Sequence, residues 1–68
     1  MKIYEDEEQT VSEWSRILIS KYGISFRRYS TISETLKQWS KRLTSIYGKS
    51  FLLRENIKTT IEYWSKLM

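Results

Sequence analysis

Apolar residues recur at helical spacing in three stretches of the chain. Val11, Trp14, Leu18 and Tyr22 fall at i, i+3, i+7 and i+11; Leu36, Trp39, Leu43 and Tyr47 repeat the spacing, with Ile32 one turn earlier; Ile57, Ile61, Trp64 and Met68 form a third stripe. A period near 3.6 predicts three amphipathic helices and no strands. On a helical wheel with Trp39 at zero, Ile32, Leu36, Leu43, Ile46 and Tyr47 lie within about 80° of it, and Lys37 and Lys41 lie nearly opposite. The apolar stripe is expected to face a core and the lysines to face water.

Local chemistry marks where these helices stop and start. Gly23 and Gly48, the only glycines, follow the last periodic residue of the first two stripes, where a left-handed C′ residue is least strained as glycine. Thr31 with Glu34 reads as a capping box opening the second helix. The acidic run Glu5 to Glu8 complements the dipole at the start of the first. There is no proline to interrupt any segment. The expected helices span residues 7–22, 31–47 and 53–67. Phe26 and Phe51 are expected to pin the two linkers to the core. The Leu52-Leu53 pair after Phe51 predicts an early, well-anchored start to the third helix, whereas Arg27-Arg28 after Phe26 predicts an exposed basic bend.

The three stripes are copies of one phrase. Trp14, Trp39 and Trp64 stand 25 residues apart, each preceded by Thr at the fourth position back and followed by Ser; the same shift superposes Tyr22-Gly23 on Tyr47-Gly48 and Ser25-Phe26 on Ser50-Phe51. Self-similarity at such a period indicates one structural unit used more than once. The fold expected is all-α: a small three-helix bundle built from a 25-residue internal repeat, one domain over residues 1–68, closed rather than an open solenoid. Each tryptophan sits at the centre of its own stripe. That phase assigns Trp14, Trp39 and Trp64 to the core rather than to stacking on a ligand.

Composition narrows the chemistry. A chain of 68 residues is near the lower limit for independent folding. It has no cysteine and no histidine, so the usual disulfide staples and zinc ligands are missing, and no metal or cofactor is expected. Asp6 is the only aspartate, and Glu5 to Glu8 are consecutive rather than convergent; no catalytic constellation is recognisable, and an enzyme is not expected. No apolar run approaches the roughly 18 residues of a membrane span. The expected protein is cytoplasmic and not membrane-bound.

Charge is unevenly distributed. Residues 1–15 hold five acids against one base, a balance of −4, and the other 53 residues carry 11 bases against 3 acids, +8. A basic body of that density favours phosphate-bearing partners. Helix two is the most one-sidedly basic element. The candidate phosphate contacts are Arg27, Arg28, Lys37, Lys41, Arg42 and Lys49.

Two segments carry a resemblance. Tyr22-Gly23-Ile24-Ser25 followed by Ser30-Thr31-Ile32-Ser33, together with Thr60-Ile61-Glu62-Tyr63-Trp64-Ser65-Lys66, resemble pieces of helix-turn-helix DNA-binding modules of the transposase and repressor kind. The resemblance covers about a third of the chain, and the connector from Gly23 to Thr31 is longer than the tight turn of those modules. It implies that helix two is the reading helix, with Thr31, Ser33 and Lys37 on its exposed N-terminal side.

Charge and resemblance together point to a small DNA-binding or nucleic-acid-associated regulator, with DNA favoured over RNA. The competing reading is a protein-interaction module, a small regulatory or inhibitory subunit or a homodimer, using Ile19 and Tyr63 as apolar residues outside the core stripes.

Overall fold

Three short polar side chains start the three helices. Asp6, Thr31 and Asn56 each hold an extended backbone, and each accepts from the amide three residues on: Asp6 Oδ1 from Gln9, Thr31 Oγ1 from Glu34, and Asn56 Oδ1 from Thr59, at 2.7, 3.0 and 2.8 Å. One of the otherwise unpaired first-turn donors is thereby satisfied in each helix. The computed structural model describes residues 1–68 as α1 (Glu7–Tyr22), α2 (Ile32–Tyr47) and α3 (Ile57–Leu67), with single 3₁₀ turns at Ile24–Phe26 and Lys49–Phe51 and no strand.

Thr31 makes its half of the expected capping box. Glu34 does not reach back; its Oε2 accepts from Gln38 Nε2 one turn on, at 2.8 Å. At the other ends, α1 and α2 stop at Gly23 (φ 109°, ψ −178°) and Gly48 (φ 105°, ψ −172°). Both glycines have positive φ as expected, but with extended ψ. That region is open essentially to glycine alone and sends the chain straight out of the helix instead of curling it into a left-handed cap.

Three sets of hydrogen bonds then fix where each connector lies, and they recur at intervals of 25 residues. Buried Thr10, Thr35 and Thr60 each use one hydroxyl twice. Oγ1 accepts from the amides of Tyr4, Tyr29 and Arg54 at 2.9, 2.9 and 3.0 Å, and donates to the carbonyls of Asp6, Thr31 and Asn56 at 2.8, 2.7 and 2.8 Å. The Trp14 and Trp39 indoles donate to the carbonyls of Lys2 and Arg27, at 2.8 and 3.1 Å. Ser15 and Ser40, buried on the neighbouring flank, donate to the carbonyls of Phe26 and Phe51, at 2.9 and 2.8 Å. Each connector is therefore held between the helix before it and the helix after it.

The core follows from that arrangement. Val11, Trp14, Leu18, Phe26, Leu36, Trp39, Leu43, Phe51, Ile61 and Trp64 form one buried cluster, with all three tryptophans at 0% exposure. Phe26 packs with its ring tilted against Trp39 at 6.1 Å and Tyr22 at 5.5 Å; Phe51 packs likewise against Trp64 at 5.8 Å and Tyr47 at 5.2 Å. The linker phenylalanines thus pin the connectors as expected. Met1 occupies the place that Phe26 and Phe51 hold in the 25-residue register. It packs on the core, and its terminal ammonium donates to the Ser65 carbonyl at 2.8 Å, tying the start of the chain to α3. The radius of gyration, 10.6 Å, and extents of 27 × 23 × 21 Å are those of a closed bundle, close to the roughly 11 Å expected for a compact chain of this length.

Two expectations fail. The third helix starts at Ile57 rather than residue 53, because Asn56 caps it and the backbone at Leu52 is extended (φ −67°, ψ 151°). Leu52 and Leu53, 51% and 46% exposed, do not anchor it. Ile46 and Tyr47, in phase with the core stripe of α2, are 46% and 50% exposed. Helix α3 has 11 residues against 16 in α2, and Met68 aligns with Leu43 in the 25-residue register. The last turn of α2 therefore extends past the length that α3 matches.

Candidate nucleic-acid interface

Helix α2 presents its lysines as the wheel places them. Lys37 and Lys41 are exposed and one turn apart, so their side chains leave one face about 6 Å apart along the axis. Neither has an acidic partner; the only ion pairs in the structure are Arg16 with Glu13, at 2.9 Å, and Arg28 with Glu8. Lys49 is exposed in the 3₁₀ turn after the C-terminus of α2. Arg27 is exposed before its N-terminus, with the guanidinium 4.7 Å from the ring centre of Tyr29. Lys37 and Lys41 thus share one face of α2, whereas Arg27 belongs to the connector that the buried Trp39 indole holds through the Arg27 carbonyl, and Lys49 follows the end of the helix.

The other two candidates are engaged inside the fold. Arg28 is half-buried, with its Nη1 donating to Glu8 and, at 2.9 Å, to the Ser12 hydroxyl, so it straps the connector to α1. Its Nε is buried without a partner. Arg42 is half-buried and donates to the Gln38 carbonyl at 3.1 Å. The basic bend expected at Arg27-Arg28 is therefore split: Arg27 faces water, and Arg28 serves the fold.

On the side of the reading helix implied by the resemblance, Ser33 is exposed and Thr31 is occupied as the cap. The connector from Gly23 to Thr31 contains its own 3₁₀ turn and hydrogen bonds to both helices, unlike the turn of about three to four residues that sets the helix crossing in helix-turn-helix modules.

The two residues expected at a partner interface lie elsewhere than expected. Ile19 and Tyr63 are half-buried and pack against the core. Ile19 is one turn beyond Ser15 on the flank where the connector passes at Phe26, and that passage widens the buried face of α1. The ring of Tyr63 is covered by the Arg54 guanidinium, 3.7 Å from its centre. The exposed apolar side chains are instead Ile3, Ile24, Ile46, Tyr47, Leu52, Leu53 and Leu67.

Two concavities mark the two ends of the bundle. At one end the last turns of all three helices meet around a pocket lined by Leu18, Tyr22, Tyr47, Leu67, Met68 and Met1. There the Tyr22 and Tyr47 hydroxyls share a hydrogen bond, which holds the Tyr47 phenol above the ordinary tyrosine range, while the Lys21 charge opposes the shift. At the other end a cleft of about 350 Å³ opens between the segment Ile3 to Glu7 and the first half of α3. Ile3, Tyr4 and Ile61 line it together with the carboxylates of Glu5, Asp6, Glu7 and Glu62, and Lys58 is its one base. The acidic run was legible in the sequence as a helix start. Its pairing with Glu62 depended on how α3 packs.

No helix of the structure is long and apolar enough to cross a membrane, and no group of side chains is placed to hold a metal ion. No protein-family model, no curated protein and no solved structure matches this chain.

Proposed function

We propose that this protein binds nucleic acid through the outward face of α2, with Lys37 and Lys41 as the central phosphate contacts and the exposed Arg27 and Lys49 of the two adjoining connectors as further bases. The observation that carries the reading is the pair of exposed lysines one turn apart with no acidic partner. From Arg16 to Arg54 inclusive the sequence contains one acid, Glu34, against nine bases, so an approaching polyanion meets little repulsion from this stretch. The mode is backbone contact. Phosphate contacts position a protein without reading sequence, and Ser33 is the one exposed polar side chain in the first turn of α2 placed to add a base contact. Duplex DNA is the favoured ligand, because a straight basic helix face fits a groove edge, whereas single strands are held by exposed aromatic platforms and the three tryptophans here are buried. Titrating labelled duplex DNA, single-stranded DNA and RNA at low salt tests the reading. Duplex binding that weakens in Lys37→Ala and Lys41→Ala supports it, and absence of binding to all three ligands refutes it.

The interaction-module reading moves from Ile19 and Tyr63 to the last turn of α2, where Ile46 and Tyr47 are exposed.

A further inference from the structure

The cleft between the N-terminal segment and α3 and the last turn of α2 are chemical complements on one molecule. The cleft is lined by apolar Ile3, Tyr4 and Ile61 and by the carboxylates of Glu5, Asp6, Glu7 and Glu62 against a single base, Lys58, a net negative balance. The α2 turn offers exposed Ile46 and Tyr47 beside Lys49, and from Lys41 to Arg54 the chain contains no acid. An apolar turn beside a lysine matches an apolar cleft whose charged groups are mostly carboxylates.

The two features cannot meet within one chain. The cleft lies beside the first turns of α1 and α3, whereas Tyr47 meets the last turns of α1 and α3 through Tyr22, Leu67 and Met68. They occupy opposite ends of a bundle 27 Å long.

We propose that the cleft receives the Ile46-Tyr47 turn of a second copy of this chain. The contact is heterologous, head to tail, so the growing assembly always keeps one free cleft at one end and one free Ile46-Tyr47 knob at the other, and association does not stop at two. One two-residue turn seated in a cleft of about 350 Å³ is a small contact beside the roughly 1,200 Å² of stable interfaces, so self-association is weak and concentration-dependent. Opposite charges across the contact make it sensitive to salt. Lys37 and Lys41 stay uncovered. This association does not depend on the nucleic-acid reading and is measured with protein alone.

Sedimentation of the whole chain over a range of concentrations tests it. The expected result at low salt is a weight-average mass rising past twice the monomer's 8.3 kDa and falling back to that of the monomer at high salt. Two variants keep the test specific, and all four altered residues are exposed, so each variant is expected to retain the wild-type helical circular dichroism. The cleft variant Glu5→Gln/Glu62→Gln and the knob variant Ile46→Gln/Lys49→Gln are each expected to stay monomeric alone. Mixed in equal amounts they are expected to form a heterodimer and nothing larger, because one intact cleft and one intact knob remain. A wild-type mass that stays monomeric at low salt overturns the proposal and leaves the cleft to a basic segment of another protein. Assembly that persists in either variant alone also overturns it.

Discussion

The Trp39 indole N–H donates to the Arg27 carbonyl at 3.1 Å, whereas the indole N–H of Trp64, equally buried, has no acceptor. The two rings fill equivalent positions in the 25-residue register but carry different polar costs. Replacing either by phenylalanine removes similar volume. In Trp39→Phe a carbonyl also loses its donor; in Trp64→Phe an unsatisfied buried donor disappears. Trp39→Phe is expected to destabilise the fold by about 1 to 2 kcal/mol more than Trp64→Phe. Urea unfolding of the two variants measures the difference, and equal losses would show that the Arg27 hydrogen bond contributes nothing net.

Thr35 joins the connector to the start of α2 through one hydroxyl, accepting from the Tyr29 amide and donating to the Thr31 carbonyl. Thr35→Val keeps the shape and leaves the Tyr29 N–H unpaired, while the Thr31 carbonyl keeps its bond from the Thr35 amide. The expected loss is about 1 to 3 kcal/mol, which for a domain of this size lowers Tm by roughly 4 to 8 °C per kcal/mol. A Tm equal to that of the wild type would remove the threonine from its structural role.

Ser40 and Ser65 separate a buried bond from a local one. Ser40 donates across to Phe51 at 2.8 Å, whereas Ser65 turns back to Glu62 in its own helix. Ser40→Ala is expected to cost about 1 kcal/mol and Ser65→Ala close to nothing. Thermal unfolding of the pair provides the comparison.

The hydrogen bond between Tyr47 and Tyr22 makes a contribution to the fold that alkali removes. Its pKa is raised first by the hydrogen bond with Tyr22, so the folded state favours the neutral phenol. A group with a raised folded pKa contributes stability that is complete below its unfolded value, about 10 for tyrosine, and is lost as pH rises through the folded value. Absorbance titration is expected to show one tyrosine ionising late, and Tyr22→Phe to return it to the ordinary range. A late transition unchanged in Tyr22→Phe would assign the shift to another cause.

The sequence made the helices legible because their signals are local. The Val11-Trp14-Leu18 spacing, the Thr31 cap and the two glycines sufficed for α1 and α2. The start of α3 does not follow from the Leu52-Leu53 pair, which has the composition of an anchor but is exposed; Asn56, in register with Asp6 and Thr31, is the cap. The threonines at 10, 35 and 60 stood in plain view, each four residues after a cap, and their double hydrogen bond required knowing where the connector runs. The lysine stripe of α2 was legible from the wheel. The engagement of Arg28 by Glu8 and the union of Glu5 with Glu62 in one cleft depend on tertiary packing that no single-helix pattern contains.

The most direct test of the central claim is the salt dependence of duplex DNA binding by the wild type and by Lys37→Ala/Lys41→Ala. With Lys37 and Lys41 on α2 and Arg27 and Lys49 in the connectors, log K against log salt is expected to fall with a slope of roughly −3 to −4 if all four meet phosphates, and the double variant to lose about two units of it uniformly across DNA sequences. A slope that the double variant leaves unchanged, or an affinity indifferent to salt, would contradict phosphate binding by this face.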